Sequence, residues 1–146
     1  MKQLPEFLKT NGYRKIPFKV SKTQHLLIKA SINGVKGNFI LDTGASNSCI
    51  GFESIDKFKV VAKDTKTKAS GAGATGMDAL LAENNTLLMS RWKCTDFTLV
   101  IFDLSHVNIA LREYKAKTVD GIIGADILLK GQGIIDYYHH TLYLKK

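Results

Sequence analysis

The chain has 146 residues, 45% of them apolar, and a formal net charge of +8. That is the size of one domain with a real core, and too apolar for a disordered tail. No apolar run approaches the roughly 20 residues a helical bilayer span needs, and Met1-Lys2-Gln3-Leu4-Pro5-Glu6-Phe7-Leu8-Lys9 lacks the apolar stretch of a secretory signal, so the expectation is a cytoplasmic protein without a membrane segment.

Leu4, Phe7 and Leu8 stand at helical spacing, so the first dozen residues predict a short helix. Asn11-Gly12 ends it with a residue suited to a left-handed cap. Pro17 precedes an extended stretch, Phe18 to Val20. His25 to Ile32 reads as a strand, with His25 a surface residue. Asn33-Gly34 then marks a tight hairpin turn, because both central residues of that turn need positive φ. Val35 to Leu41 is the return strand. Its last three residues, Phe39-Ile40-Leu41, are all apolar, which predicts burial on both faces just before Asp42.

Residues 51–70 are polar and lysine-rich, and their pattern chooses neither helix nor strand. Ser70-Gly71-Ala72-Gly73-Ala74-Thr75-Gly76 reads as a hairpin tip of small residues. Strand character returns at Thr86–Met89 and Phe97–Phe102. Ser105 is placed to cap a helix running to about Tyr114. Gly121-Ile122-Ile123-Gly124 leads into a short helix, Asp126 to Lys130. The chain closes with a hairpin, Gly133–Tyr138 and Thr141–Leu144, with His139-His140 as a solvated turn. Trp92 is a large apolar residue that the pattern does not place. Many short strands between turn signals predict a single mostly-β, closed, barrel-like domain over 1–146, with one short C-terminal helix and a short N-terminal one.

Charge and cysteines bear on partners. Residues 1–41 hold eight Lys or Arg and one acid, a net +7, while residues 42–146 hold thirteen bases and twelve acids, a net +1. A basic third of this kind suits either a solvated lysine surface or a nucleic-acid binder. Only three arginines are present, and arginine is the better reader of phosphates and bases, which favours the solvated surface. Cys49 and Cys94 lack metal-ligand spacing and read as two reduced, buried thiols, with a disulfide as the alternative. No metal and no cofactor is expected.

Asp42-Thr43-Gly44-Ala45-Ser46 carries the chemistry. Alone, Asp-Thr-Gly is an ordinary turn sequence. Its setting is more specific: an apolar strand before it, a glycine-rich tip about 30 residues later, then two bulky apolar residues before Gly124. This ordered set resembles the retropepsin-like aspartic peptidases: the retroviral proteases, the retroviral-type domain of eukaryotic ubiquitin-shuttle proteins, and bacterial single-motif relatives. The lead-in Gly12-Tyr13-Arg14-Lys15-Ile16-Pro17 and the exit Gly124-Ala125-Asp126-Ile127-Leu128 look most like the bacterial ones. The resemblance spans roughly residues 16–146, leaving 1–15 as an N-terminal extension.

The resemblance implies the retropepsin fold and an aspartic endopeptidase acting on a peptide or protein substrate. Such chemistry needs two carboxylates about 3 Å apart sharing one proton. With one Asp-Thr-Gly per chain, the second Asp42 is implied to come from a two-fold copy, so a homodimer is required. By the same resemblance, Asp42, Thr43 and Gly44 are catalytic residues. Ala45, Ser46, Gly71, Ala72, Gly73 and Ile123 contact substrate, with 71–73 in a flap. Ile122 and Ile123 pack beneath the catalytic loop, and Leu142 to Leu144 lie near a terminal-strand interface. Ser46 and Ala125 stand where viral relatives place an acid–arginine pair, so that clamp is missing. Ala45 replaces the hydroxyl residue of pepsin-like enzymes, so a less acidic optimum than pepsin's is implied. Asp126 reads as a helix N-terminal charge in preference to a catalytic group. The alternative function is a peptide- or protein-binding module of the same fold.

Overall fold

The computed structural model describes residues 3–69 and 77–146. Its elements are α1 (Gln3–Thr10), β1 (Tyr13–Val20), β2 (Leu26–Ile32), β3 (Val35–Leu41), β4 (Cys49–Ile50), a 3-10 turn (Phe52–Ser54), β5 (Ala62–Ala69), β6 (Met77–Met89), β7 (Trp92–Ile101), α2 (Ser105–Glu113), β8 (Gly121–Ile123), α3 (Ala125–Lys130), β9 (Ile134–Asp136) and β10 (Thr141–Lys145). The mostly-β expectation holds.

Six strands close a ring. Running β3, β2, β6, β7, β4, β8 and back to β3, each pairs with the next. Closure leaves no free edge within the ring itself. β5 flanks β6, while β1, β10 and β9 extend the sheet beyond β2. Inside the ring lies the main core, with Ile28, Phe39, Phe58, Leu87, Leu99 and Ile123 almost without exposure. A second cluster, around Ile40, Ala45, Cys49, Phe102, Leu104 and Ile122, packs on the other side of the same strands. Alternation explains the division: neighbours along a strand point to opposite faces. Phe39-Ile40-Leu41 therefore feeds both clusters, as the loss of alternation before Asp42 predicted.

Asn33 (φ 52°) and Gly34 (φ 85°) form the β2–β3 turn as read from sequence, and Gly12 (φ 86°) follows α1. Other readings needed correcting. β1 begins five residues before Phe18 and runs through Pro17. It pairs with β10 up to Pro17 and with β2 from Phe18 on, so the missing proline N–H falls at the change of partner. Residues 62–69 are a strand at the sheet margin, and β6 begins at Met77, well before Thr86. β6 and β7 each carry an irregularity in their pairing, near Asn84 (φ 62°) and Asp96 (φ 54°). The buried Asn85 amide fills the first, donating to the carbonyls of Ala82 (2.9 Å) and Phe97 (3.2 Å).

Ser105 is the first residue of α2 and not its cap. The Asp103 carboxylate accepts from the Ser105 N–H at 2.8 Å, and that bond with the Ser105 hydroxyl holds its carboxyl below the usual range. His139 is not merely solvated: its Nδ1 lies 2.6 Å from Oδ2 of the buried Asp136. Trp92 sits in the main core and donates its Nε1–H to the Lys145 carbonyl at 3.1 Å, tying β7 to the end of β10. Leu142 to Leu144 lie within the chain's own sheet. β10 is paired along both edges, by β1 and β9, and all three side chains are buried in their own chain.

Candidate active site

The site follows from strand order. β8 lies between β3 and β4, parallel to β3 and antiparallel to β4. Parallel pairing brings the C-terminal ends of β3 and β8 together, so Asp42 and Gly124 emerge side by side. To reach β4, residues 42–48 must cross over the end of β8. Four consecutive residues at that end hold the crossing loop. The Ile123 carbonyl accepts from the Asp42 N–H at 2.9 Å, and the Gly124 N–H donates to Ser48 Oγ at 2.9 Å. The Ala125 N–H donates to the Ala45 carbonyl at 2.7 Å. Asp126 Oδ1 accepts from the Ser48 N–H (3.0 Å) and Ser48 hydroxyl (2.7 Å).

Glycine is required at the two closest approaches. A Cβ on Gly121 would stand 2.0 Å from the Cys49 carbonyl oxygen, and one on Gly124 would stand 2.5 Å from that of Ala45. Both glycines flank the apolar pair, so the Gly-Ile-Ile-Gly pattern reflects backbone contact rather than turn-making.

Within the loop, the Gly44 N–H donates to Asp42 Oδ1 at 2.8 Å, and the Ala45 N–H donates to the Asp42 carbonyl at 3.2 Å. Thr43, Gly44 and Ser46 are exposed and Asp42 half-buried, so this part of the reading has its residues together on one solvent-facing loop. Ala45 and Ile123, expected from the resemblance to contact substrate, are both buried. Ala45 is 5% exposed and Ile123 0%, and both side chains face the core. They shape the loop from beneath, as Ile122 does from the second cluster. Gly71, Ala72 and Gly73 lie outside the described residues.

Ser48 was the residue the sequence reading missed. A lone serine after a turn carries no signal; only its complete burial beside Asp126 reveals its part. Cys49 follows it, and its thiol is pushed up to about 12, chiefly by burial and then by the charges of Asp126 and Asp42, against a lowering hydrogen bond at Ile122. Among the described residues, one hollow of about 400 Å³ lies beside Asn33, Lys59 and Asn85, and another of about 410 Å³ between β7 and α3. Neither is lined by Asp42. Among the described residues no group of three or more His, Cys, Asp and Glu is gathered to hold a metal.

A family model described as aspartyl protease matches residues 28–127, from β2 through the start of α3. The chain belongs to the aspartyl protease family. The matched span includes the loop 42–48 and all four residues that hold it. Among solved structures, this family member is similar to a retropepsin-like aspartic protease from Rickettsia conorii, at 22% identity and TM-score 0.61 over 91% of this chain and 89% of that one. It is also similar to the retroviral protease-like domain of Ddi1 from Leishmania major, at 20% identity and TM-score 0.56 over 82% and 87%. A third is the EIAV protease complexed with the inhibitor HBY-793, at 18% identity and TM-score 0.50 over 76% and 91%. The fold is therefore the retropepsin fold. No curated protein matches the chain.

Proposed function

We propose that this chain is an aspartic endopeptidase active as a homodimer, with one Asp42 from each copy. The observation that carries it is the presentation of Asp42: a half-buried carboxylate opening a loop that four consecutive residues hold, with Thr43 and Gly44 exposed beside it. Such a group is half of a proton-sharing pair, and a two-fold copy facing it supplies the other half.

In the reaction, the ionised Asp42 takes a proton from a water as its oxygen attacks the scissile carbonyl carbon. The protonated Asp42 of the other copy donates a hydrogen bond to the carbonyl oxygen, where negative charge develops. Collapse of the tetrahedral intermediate breaks the C–N bond as a proton passes to the leaving nitrogen. The two carboxylates titrate as one unit. Ala45 offers no hydroxyl to the pair, so the optimum lies above that of pepsin, well clear of pH 2.

Digestion of a peptide library at several pH values tests the proposal, alongside sedimentation of the protein. Asp42→Asn removes cleavage, by roughly 1,000-fold or more where both general acid and base are lost, and leaves the thermal melt unchanged. Retained activity in that variant would sink the mechanism. Peptide binding without cleavage by the unaltered protein would support a binding module instead.

A further inference from the structure

Ser48 and Asp126 join across the site. Ser48 is completely buried, and its hydroxyl does two things at once. It donates to Asp126 Oδ1 at 2.7 Å and accepts from the Gly124 N–H at 2.9 Å. The same Asp126 oxygen also takes the Ser48 N–H at 3.0 Å. A carboxylate acceptor makes such bonds shorter and stronger than a neutral one. The attachments at Ile123 and Ala125 are backbone to backbone and survive most side-chain changes, while the Gly124 N–H reaches the Ser48 hydroxyl. Asp126 is the one member of the four whose grip depends on its side chain. It acts at the loop's far end, where Ser46 and Ala125 offer no ion pair.

We propose that Asp126 is a positioning residue that, through the buried Ser48, fixes the loop bearing Asp42 and so sets the placement of the catalytic carboxylate. The proposal rests on the peptidase reading for its kinetic consequence, but its physical content is a statement about the loop. Without Asp126, Ser48 keeps a buried hydroxyl and amide with no acceptor, and the loop moves to find one. Displacement of a catalytic group by a fraction of an ångström is enough to reduce turnover while leaving substrate affinity largely intact.

The test compares Asp126→Ala, Asp126→Asn and Ser48→Ala in the full chain. Readouts are kcat and KM on a cleaved peptide, and amide hydrogen exchange across residues 42–48. The alanine variants are expected to lose kcat by roughly 10- to 100-fold, with KM changed by less than about threefold. Asp126→Asn keeps an oxygen acceptor and is expected to recover kcat to within about fivefold of the parent. Exchange at Ala45 and Ser48 quickens in both alanine variants while the β2–β3 amides stay protected. A helix-end charge with a merely structural role would lower the melting temperature without this split or this rescue. Unchanged kcat and unchanged loop exchange in Asp126→Ala would overturn the proposal, as would an asparagine variant no better than the alanine one. Should the parent cleave nothing, the peptidase reading fails by itself, and loop exchange alone decides for or against the clamp.

Discussion

Replacing Gly124 with alanine isolates the dependence of the site on backbone proximity. Gly124 has φ −110° and ψ −165°, an extended conformation open to any residue, so the change brings no conformational strain of its own. Its cost is steric. The new Cβ would stand 2.5 Å from the Ala45 carbonyl oxygen and 3.1 Å from the Asn47 carbonyl carbon. Reaching even a tight contact needs a retreat of about 0.5 Å, and an ordinary contact about 0.9 Å, by backbone of the loop that bears Asp42. Overpacking of this sort costs about 1–3 kcal/mol. For a chain of this size that lowers the melting temperature by roughly 3–10 °C. The movement is directed at Asp42, so kcat/KM should fall out of proportion, on the order of 100-fold. Thermal melts and peptide cleavage by the same preparation measure both. A Gly124→Ala protein with parental activity and an unchanged melt would refute the claim that β8 supports the loop by direct contact.

Three further outcomes are expected. The Asp136 carboxyl would be raised by burial, but hydrogen bonds from the His139 ring, the His139 N–H and the Tyr138 N–H outweigh this and hold it below the ordinary carboxylate range. A depressed folded value means stability present above the unfolded value, about 3.9, and lost as pH falls through the folded one. Melting temperature should therefore drop below about pH 4, less steeply in Asp136→Asn; parallel curves would contradict the pairing. Cys49 is buried, with its thiol pushed up to about 12, and Cys94 is also buried, so a disulfide-exchange reagent at pH 8 should label neither in the folded protein and both in denaturant. A fast-reacting native thiol would argue against this packing. Phe39→Ala empties a fully buried ring site against Phe58 and should cost about 3–5 kcal/mol, read as a large loss in denaturation midpoint.

Much of the candidate site was legible before any coordinates. Asp42-Thr43-Gly44 announced itself because its neighbours were unusual together: an apolar run before it and Gly121-Ile122-Ile123-Gly124 far after it. The burial of Ala45 and Ile123 was not legible, for a simple reason. Sequence placed them near Asp42 but not on a face, and in alternating strands nearness along the chain says little about direction. Polar partnerships were the least legible part. Ser48 with Asp126, His139 with Asp136, and Asn85 with the β6 irregularity are matched over distances and angles that no spacing rule encodes.

Local signals determined what local energetics control. Asn33-Gly34 made its turn and Gly12 followed the first helix, since backbone conformation there is decided within two residues. Apolar stretches became strands where their composition was decisive. Tertiary structure decided what depends on a distant neighbour. The lysine-rich 62–69 is a strand because β6 offers it hydrogen bonds, and Cys49–Ile50 is one because β7 and β8 stand on either side. Above all, only the order β3, β8, β4 sets four consecutive residues under the loop of Asp42, because parallel pairing brings together two strand ends that are some eighty residues apart in sequence.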